Sequence, residues 1–488
     1  MPKKLSVLFC LLLFCLTGQS QTHLTLSPSI PVANPGQYDN LRPQIALSNG
    51  NPLIIWGSTI AGRKGWVARY NGSAFDTPVE IHPSGQINAF GVEGPNIDAK
   101  GDTAYLAFTS YFQTGSESFI RASFDGGQTW GDATVVDSLS GDFPSFTNVT
   151  VGSGGNPLVY YIRQQSNWAN PRYVLRSSTD AGQTFAAEVD MSTSVAPGNE
   201  VCDCCQGHLY PASGGRLVSV FRNNDSNLRD QWAGVSTDGG LTWVAGIDLD
   251  STDWIAAVCP SSGPESYILG DSIYTIFMSR GGPGGYARVW LGTANLTTQA
   301  LGYNRMLFEN VANNETQNYP AIAGNGDTIG AVWTNNAGGD VSIWMTHSVT
   351  GSGGMFENLR LNLTDGESGT QTTPSLAFHN GTFHISWRDD ATGNVMYRTA
   401  TVQTGVSAPE PTAATFTLAP NPATDAVRLH FANPLQAPTC VTLHDAQGRL
   451  VRVYDGVLKE SVEVERGDLG AGVYFVRCGG EVGKVVFH

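Results

Sequence analysis

The sequence predicts an all-β protein: a seven-bladed β-propeller followed by a small Ig-like β-sandwich. One short phrase, S-x-D-x-G-x-T-aromatic, occurs three times at a spacing of roughly 55 residues, a period typical of propellers and solenoids. A Gly-containing turn followed by a β-branched or aromatic run also recurs seven times. Only 14% of the residues are charged, 10% are aromatic and 57 are Gly, which suits an all-β chain with many turns.

The three copies of the phrase are Ser123–Trp130, Ser178–Phe185 and Ser236–Trp243. Asp and Gly favour a tight turn, because the Asp side chain accepts hydrogen bonds from backbone N–H groups and Gly adopts positive φ. The aromatic residue is expected to fold under the turn and bury its ring. The phrase resembles the Asp-box, or BNR repeat, of sialidase-like β-propellers. The resemblance implies a structural role for these turns, between the third and fourth strands of a blade and away from the ligand face.

The seven recurring turns predict seven units of four strands. They centre on Asn49-Gly50, Gly101-Asp102, Gly155-Asn156, Gly214-Gly215, Gly270-Asp271, Gly326-Asp327 and Asn380-Gly381. The last unit, Pro374–Val402, has room for about three strands. Thr22–Ser27 alternates in hydrophobicity, so we expect it to supply the missing strand and close the ring. Six blades are the alternative, because sialidases themselves have six.

The chain divides into four predicted segments. Residues 1–21 are predicted to be a secretory signal peptide, because Lys3 and Lys4 precede an apolar run too short to span a bilayer. Residues 22–402 form the propeller. Residues 403–415, rich in Pro and small residues, form a linker. Residues 416–488 form the β-sandwich module.

The C-terminal module contains three motifs in a set order. They are Pro420-Asn421-Pro422, the Asp445-to-Val451 D-x-x-G-R-x-V hairpin and Leu469-Gly-Ala-Gly-Val-Tyr474. Together they resemble the C-terminal sorting domain of the bacterial type IX secretion system, with a generic Ig-like sandwich as the alternative. The resemblance implies the type IX machinery as a partner. It also implies a protein that is secreted or attached to the outer surface of the outer membrane after processing of the signal and sorting segments.

Charge and composition limit the partners. The net charge is −15 and the pI about 4.9, so nucleic acid and anionic membranes are disfavoured. After the signal peptide, no stretch is long and apolar enough for a transmembrane segment. We expect a monomer without a cofactor that binds a glycan or a surface protein.

The candidate ligand face is the end of the propeller at which the first strand of each blade begins. Antiparallel pairing brings the end of the second strand to the same end, where five Arg residues are predicted to bind the ligand: Arg42, Arg163, Arg222, Arg280 and Arg388. Guanidinium groups bind the carboxylate of an anionic sugar through paired hydrogen bonds. The alternative is that these Arg residues pair with neighbouring surface carboxylates such as Glu315 and Glu367.

Two function classes follow from this face. Sialidases use an Arg triad, a Tyr nucleophile assisted by Glu and an Asp acid. Arg42 resembles the arginine of the sialidase R-I-P motif, but Pro43 follows it directly. Tyr319, Glu93 and Glu200 are the candidate catalytic residues, and no Asp is assigned as the acid. We therefore predict a non-catalytic binding propeller, with a sialidase-like exo-glycoside hydrolase as the alternative.

Six of the eight cysteines lie outside the signal peptide, an even number that favours disulfides in an exported protein. Cys202, Cys204 and Cys205 enter blade four, and Cys259 enters blade five on the same face. Two disulfides with Cys259 bonded into the cluster are predicted, and an adjacent Cys204–Cys205 bridge is one version of this pairing. A metal site that includes His208 and a reactive thiol are the alternatives, and no metal is predicted. Cys440 and Cys478 are expected to bridge two strands of the C-terminal module.

Overall fold

The computed structural model describes residues 24–33, 41–60, 62–112, 116–138, 141–256, 259–308, 315–356, 360–403, 416–431, 439–446, 450–457, 460–478 and 481–488. The predicted signal peptide lies outside these residues. The chain forms two compact units, Met1–Gln403 and Thr404–His488. In the described residues, β-strands are the main regular elements of both units, and the first unit also contains four 3-10 turns: Ser213–Gly215, Pro283–Gly285, Ala337–Gly339 and Ser352–Phe356.

In the described part of the first unit, six sheets each consist of four consecutive antiparallel strands. The first sheet contains β3 (Leu41–Ser48), β4 (Asn51–Ser58), β5 (Lys64–Arg69) and β6 (Val79–Glu80), and the second contains β7 (Asn96–Lys100), β8 (Thr103–Thr109), β9 (Glu117–Ser123) and β10 (Thr134–Ser138). The third contains β11 (Asp142–Val151), β12 (Pro157–Gln165), β13 (Arg172–Ser177) and β14 (Val189–Asp190), and the fourth contains β15 (His208–Pro211), β16 (Leu217–Arg222), β17 (Gln231–Ser236) and β18 (Val244–Asp248). The fifth contains β19 (Glu265–Leu269), β20 (Ser272–Ser279), β21 (Arg288–Asn295) and β22 (Leu301–Met306), and the sixth contains β23 (Gln317–Asn325), β24 (Thr328–Asn335), β25 (Ser342–Ser348) and β26 (Leu361–Asn362).

The seventh sheet takes strands from both ends of the unit. It contains β27 (Gln371–His379), β28 (Thr382–Asp389) and β29 (Asn394–Val402), together with β1 (Leu24–Leu26) and the short β2 (Ile30–Pro31). Strand β1 pairs antiparallel with β29, and Leu24 lies opposite Val402. The N-terminal segment therefore supplies the outer strand that the last unit lacks, as the sequence predicted.

The sheets follow one another in chain order. The first strands of neighbouring sheets lie against each other, and β27, the first strand of the seventh sheet, lies against β3 of the first. All seven first strands line a channel of about 240 Å³. The four-stranded antiparallel sheets are consistent with propeller blades.

The apolar core lies between neighbouring sheets. Leu53 and Ile55 of the first sheet pack with Leu106 and Phe108 of the second, and all four are fully buried. Because each sheet is covered on both faces, its second strand is a nearly continuous apolar run, which is the signal that made the repeats visible in the sequence.

The repeated phrase folds into the same turn three times, between the third and fourth strands of the second, third and fourth sheets. In the first copy, Asp125 Oδ1 accepts hydrogen bonds from the backbone N–H groups of Gln128 and Thr129, both at 2.9 Å. Ser123 Oγ accepts a hydrogen bond from the N–H of Gly127 at 2.9 Å. The Thr hydroxyl of each copy also donates to the Asp, and these bonds lower the pKa of each Asp to about 2.

The aromatic residue of each phrase packs against the core shared with the preceding sheet. Trp243 is buried there, whereas Trp130 and Phe185 are only partly buried, less than the sequence predicted. The second Gly of the phrase lies against the same core. A Cβ on Gly240, whose φ is +94°, would meet Leu175 Cδ2 at 2.6 Å. The phrase therefore attaches the outer turn of one sheet to its neighbour.

The second unit forms two antiparallel sheets around one core. One sheet contains β30 (Phe416–Ala419), β31 (Ala426–Phe431) and β34 (Ser461–Glu465), and the other contains β32 (Thr439–Asp445), β33 (Leu450–Val457), β35 (Gly472–Cys478) and β36 (Glu481–Phe487). Val427 and Leu429 of the first sheet share a core with Leu443 and Val476 of the second. The Cys440 side chain lies outside the described residues, so its pairing with Cys478 remains a prediction.

Candidate ligand-binding site at the strand entries

Four first strands carry an irregularity close to the point where they begin. At each one a residue other than Gly adopts positive φ: Arg42 (46°), Phe146 (54°), Tyr319 (49°) and Thr373 (48°). In each case the strand pairing shifts register around that residue. Bulges of this kind redirect a side chain out of the regular pleat.

Three of these four residues line one small cavity at the start of the channel. Arg42, Tyr319 and Thr373 surround it, and further lining residues come from the fourth and fifth sheets. These include Gln206, His208, Ser262 and Glu265. The cavity measures about 30 Å³, enough for a water molecule or for one small polar group of a larger ligand. Gln44, His208 and Glu265 line both this cavity and the channel behind it.

Three buried polar atoms in the cavity lining have no hydrogen-bond partner in the described part of the chain. They are Arg42 Nε, Gln206 Nε2 and Thr373 Oγ1. The guanidinium of Arg42 is anchored on its other side, where Nη1 donates to the carbonyl oxygen of Val92 at 2.6 Å. Each buried polar group left unpaired costs about 1–3 kcal/mol. Two of the three are donors only and the third is a hydroxyl, so the cavity suits a ligand group that accepts hydrogen bonds.

Three titratable side chains, Arg42, His208 and Glu265, set the charge of the cavity at neutral pH. Burial raises the pKa of Glu265 to about 7, although Arg42 and a hydrogen bond from the Ile322 backbone N–H favour its ionised form. Burial also lowers the pKa of Arg42. Burial and the nearby positive charge of Arg42 together lower the pKa of His208 to about 3. His208 is therefore neutral at pH 7, Glu265 is partly protonated, and Arg42 supplies the positive charge of the site.

Tyr319 lines the cavity with Glu265 rather than with either predicted Glu. Glu93 is buried nearby, where its carboxylate accepts hydrogen bonds from the Phe146 backbone N–H at 2.7 Å and from Asn88 Nδ2 at 3.2 Å. Burial raises the pKa of Glu93. Glu200 lies in the loop before β15 and does not line the cavity. The hydrogen bonds of Glu93 thus hold the backbone at the bulge of the third sheet.

The predicted set of five Arg residues does not converge, and only Arg42 lines the cavity. Arg163 instead pairs with Asp142 at 2.8 Å and with Glu188 at 2.6 Å. Arg388 pairs with Asp390 at 2.6 Å, and Arg280 donates to the Gly285 carbonyl at 2.9 Å. Pairing with nearby carboxylates, the alternative considered from the sequence, therefore describes Arg163 and Arg388, whereas Arg280 is held by a backbone carbonyl.

Arg222 has a structural environment. Its side chain is fully buried, and its guanidinium donates to the carbonyl oxygens of Arg229 (2.8 Å), Ser262 (3.3 Å) and Met278 (2.6 Å). Its donors are thus already occupied by backbone that leads into neighbouring strands. In the described residues, the Tyr319 cavity contains one Arg and not the three that a sialidase triad requires.

The structure adds Glu265, Gln206 and Thr373 to the site, which sequence reasoning did not select. A signal for their placement does exist in the sequence. Pro lies at or just before the beginning of five first strands, in Arg42-Pro43, Gly94-Pro95, Gly263-Pro264, Tyr319-Pro320 and Thr373-Pro374, and in three of them it directly follows the bulge residue. Alignment on that Pro places Glu265 and Gln44 at the same position of their strands.

A patch of aromatic side chains lies in the loops of the first and second sheets, outside the residues that line the cavity. The guanidinium carbon of Arg63 lies 4.1 Å from the centre of the Phe90 ring, and Phe90 and Phe112 lie 6.2 Å apart with their planes inclined by 25°. Phe112 is 44% exposed, which is high for a Phe side chain. The loop that carries Phe90 also carries Val92, whose carbonyl oxygen holds Arg42. The aromatic patch is therefore connected to the cavity through the hydrogen bond between Val92 and Arg42.

The cysteine cluster lies at the entries of the fourth and fifth sheets. Cys204 and Cys259 form a disulfide, which confirms that Cys259 is bonded into the cluster and excludes the adjacent Cys204–Cys205 bridge in this structure. Cys202 and Cys205 are buried thiols whose Sγ atoms lie 2.9 Å apart without a bond. The predicted second disulfide is therefore not formed. The sulfur atoms of Cys202, Cys204 and Cys205 lie within 4.8 Å of one another, so their spacing alone is compatible with the metal alternative.

Comparison with known proteins shows fold similarity for the chain and a family match for its C-terminus. The chain is similar in structure to the polysaccharide lyase Uly1 (TM-score 0.48, 10% identity, 75% of this chain and 90% of the other). It is also similar to a Trypanosoma rangeli sialidase (0.44, 10%, 95% and 89%) and to PorZ of the Porphyromonas gingivalis type IX secretion system (0.41, 12%, 93% and 60%). No curated protein sequence matches it.

Among the described residues, no helix has the length and apolar character needed to cross a membrane.

Residues 417–487 match the family described as the secretion system C-terminal sorting domain. This match agrees with the three motifs of the C-terminal module and with its two-sheet structure. The chain carries a type IX sorting domain, which implies secretion by that system and attachment at the cell surface.

Proposed function

We propose that the protein is a cell-surface receptor for acidic saccharides, and that it binds the anionic group of its ligand in the Arg42 cavity. Its first unit is, in this proposal, a closed seven-bladed propeller of the Asp-box type that acts as a monomer after removal of residues 1–21. The observation that carries the proposal is that three residues lining one cavity, Arg42, Gln206 and Thr373, each have a buried polar atom without a hydrogen-bond partner in the described part of the chain.

A carboxylate is the ligand group that best fits the cavity. It presents two oxygen atoms that accept hydrogen bonds, and Arg42 supplies a matching charge. The volume of about 30 Å³ excludes a whole sugar ring, so the ring must lie outside the cavity. The exposed Phe112 ring and its neighbour Phe90, whose loop also carries the Val92 carbonyl that contacts Arg42, offer an apolar surface, and aromatic faces pack well against the C–H groups of a sugar. An acidic saccharide is the ligand class that uses both features.

Binding is favoured over hydrolysis because the cavity lacks part of a hydrolytic set. Tyr319 and Glu265 share it with one Arg, but no Asp is among its lining residues. A sialidase-like exo-glycoside hydrolase is the alternative, and the proximity of Arg42 to Tyr319 is the observation that favours it. Turnover of a fluorogenic sialoside that disappears in Tyr319→Phe would establish the alternative.

The direct test measures binding of the full chain to matched acidic and neutral saccharides by calorimetry. Gln206→Leu removes a buried amide nitrogen that has no partner among the described residues, and Arg42→Met removes the charge. Loss of one charge-assisted hydrogen bond costs about 1.5–3 kcal/mol, so each variant should weaken binding of an acidic saccharide at least tenfold. Arg280→Met is the matched control, because Arg280 is exposed and lies outside the cavity.

Two outcomes would contradict the proposal. Unchanged affinity of the Arg42→Met and Gln206→Leu variants would remove the cavity from the binding site. Equal affinity for neutral and acidic saccharides would remove the anionic group from recognition. Tryptophan fluorescence of each variant confirms that a loss of binding is not a loss of fold.

A further inference from the structure

The buried thiols Cys202 and Cys205 are held together by the backbone. The backbone N–H of Cys202 donates to the Arg222 carbonyl at 2.8 Å, and that of Cys205 donates to the Cys202 carbonyl at 3.3 Å, which closes a tight turn. The carbonyl of Cys205 in turn accepts a hydrogen bond from Tyr173 Oη at 2.7 Å. The resulting Sγ–Sγ distance of 2.9 Å is shorter than a normal contact between non-bonded sulfur atoms. Only a small movement separates the pair from a disulfide.

The two thiols differ in reactivity. Burial opposes ionisation of Cys202, but the contact with Cys205 and the positive charges of Arg222 and Arg229 lower its pKa. Arg229 Nη1 lies 3.3 Å from Cys202 Sγ. Burial raises the pKa of Cys205 well above its usual range. Cys202 is therefore the nucleophile of the pair, because the thiolate is the reactive form of cysteine.

The buried thiol pair and the outer disulfide differ in their access to solvent. Cys202 and Cys205 are 0% and 1% exposed, so a dissolved oxidant does not reach them in the folded protein. Cys259 is exposed and is bonded to Cys204. Cys204 Sγ lies 3.5 Å from Cys202 Sγ. The Cys204–Cys259 bond thus stands between solvent and the buried pair.

We propose that the four cysteines form a disulfide relay, in which the outer Cys204–Cys259 bond oxidises the buried Cys202/Cys205 pair by thiol–disulfide exchange. This inference does not depend on the saccharide-binding proposal. It concerns how the second disulfide predicted from the sequence forms at a site that solvent does not reach.

The relay takes two exchange steps. In the first, the Cys202 thiolate attacks Cys204 Sγ, the Cys202–Cys204 bond forms, and Cys259 leaves as a thiolate that takes a proton from water. In the second, Cys205 attacks Cys202 Sγ and its proton passes to the departing sulfur of Cys204, so that the Cys202–Cys205 bond forms and Cys204 leaves as a thiol. One disulfide has moved inward, with no net oxidation.

The outer pair is then oxidised again from solvent. A small disulfide such as oxidised glutathione accepts the two electrons and is released as two thiols, while Cys204 and Cys259 regain their bond. The end state has two disulfides. The inner one fixes the turn that precedes Gln206 and His208, both of which line the Arg42 cavity.

The test follows reoxidation of the reduced, folded full chain by oxidised glutathione. Samples are quenched by alkylation and digested at Asp203, which separates Cys202 from Cys204 and Cys205. The relay predicts that the Cys204–Cys259 link appears first and the Cys202–Cys205 link second. In the double variant Cys204→Ser/Cys259→Ser, the inner link should form at least tenfold more slowly. Formation at the wild-type rate would overturn the relay.

A second pair of variants keeps the test valid if the double variant does not fold. In Cys205→Ser the first exchange can occur but the second cannot, so a fraction of Cys259 should become open to alkylation. In Cys202→Ser, the matched control, no nucleophile is present and Cys259 should remain blocked. Equal labelling of Cys259 in the two variants would also overturn the relay.

Discussion

The contact between each repeated phrase and the preceding sheet predicts a difference between two adjacent glycines. Gly239 and Gly240 lie in the same turn and have similar positive φ values of 76° and 94°. A Cβ on Gly239 would have no atom within 4 Å, whereas one on Gly240 would meet Leu175 at 2.6 Å and Leu217 at 3.2 Å. Gly239→Ala therefore tests backbone strain alone, and Gly240→Ala tests strain together with crowding.

The magnitudes follow from these two effects. A left-handed conformation costs a residue other than Gly about 1–2 kcal/mol, which is the full loss of unfolding free energy expected for Gly239→Ala. Overpacking of a filled core costs typically about 1–3 kcal/mol more, so Gly240→Ala should lose about 2–5 kcal/mol. The difference between the two variants isolates the contact with the neighbouring sheet.

Urea unfolding of the full chain, followed by tryptophan fluorescence, measures both variants. All 11 Trp residues lie between Trp56 and Trp387, so the signal reports the first unit and not the sorting domain. Equal losses for Gly239→Ala and Gly240→Ala would refute the idea that the phrase is fastened to the preceding sheet.

Three further predictions address the sorting domain, the phrase and the cavity. Deletion of Phe416–His488 should leave a folded first unit in the periplasm, and normal secretion of that truncation would disprove the role of the domain. Trp243→Ala should cost about 3–5 kcal/mol of unfolding free energy, because the ring is buried in the core. Saccharide affinity should not change, because Trp243 does not line the cavity. A Trp243→Ala variant that keeps its melting temperature but loses the ligand would contradict this prediction. Affinity for an acidic saccharide should rise as the pH falls from 8 to 6, because Glu265, with a pKa of about 7, loses its negative charge over that range while His208 stays neutral. Glu265→Gln should bind more tightly than the wild type at pH 8 and show a flatter pH profile by calorimetry, and an unchanged profile would remove Glu265 from the site.

The fold was predictable from the sequence because its signals are local. A turn residue and the alternating or apolar run beside it lie within ten residues of each other. The side-chain hydrogen bonds of Asp125 likewise join it to residues no more than four positions away. The β1–β29 pairing was an exception that could still be inferred, because the last unit lacked one strand. The three motifs of the sorting domain are similarly short.

The site was less predictable, because equivalent positions in a repeat do not have equivalent surroundings. Arg163 and Arg388 meet carboxylates on adjacent strands or turns, and Arg222 meets backbone carbonyls, so none of them remains available as Arg42 does. These differences depend on side chains far apart in the chain. Glu265 was missed for a related reason, since its importance comes from a cavity that five sheets build together.

The pairing of β1 with β29 also sets the order in which the first unit can fold. The hydrogen bond between Ser27 Oγ and the Thr399 backbone N–H joins residues 372 positions apart. A chain that emerges from its amino end must therefore keep its first strand unpaired until almost the whole unit has followed. Contacts this distant in sequence slow folding, and a free strand edge is prone to pair with other chains. Leu24–Leu26 is therefore the strand of the first unit that is open longest to such pairing during synthesis.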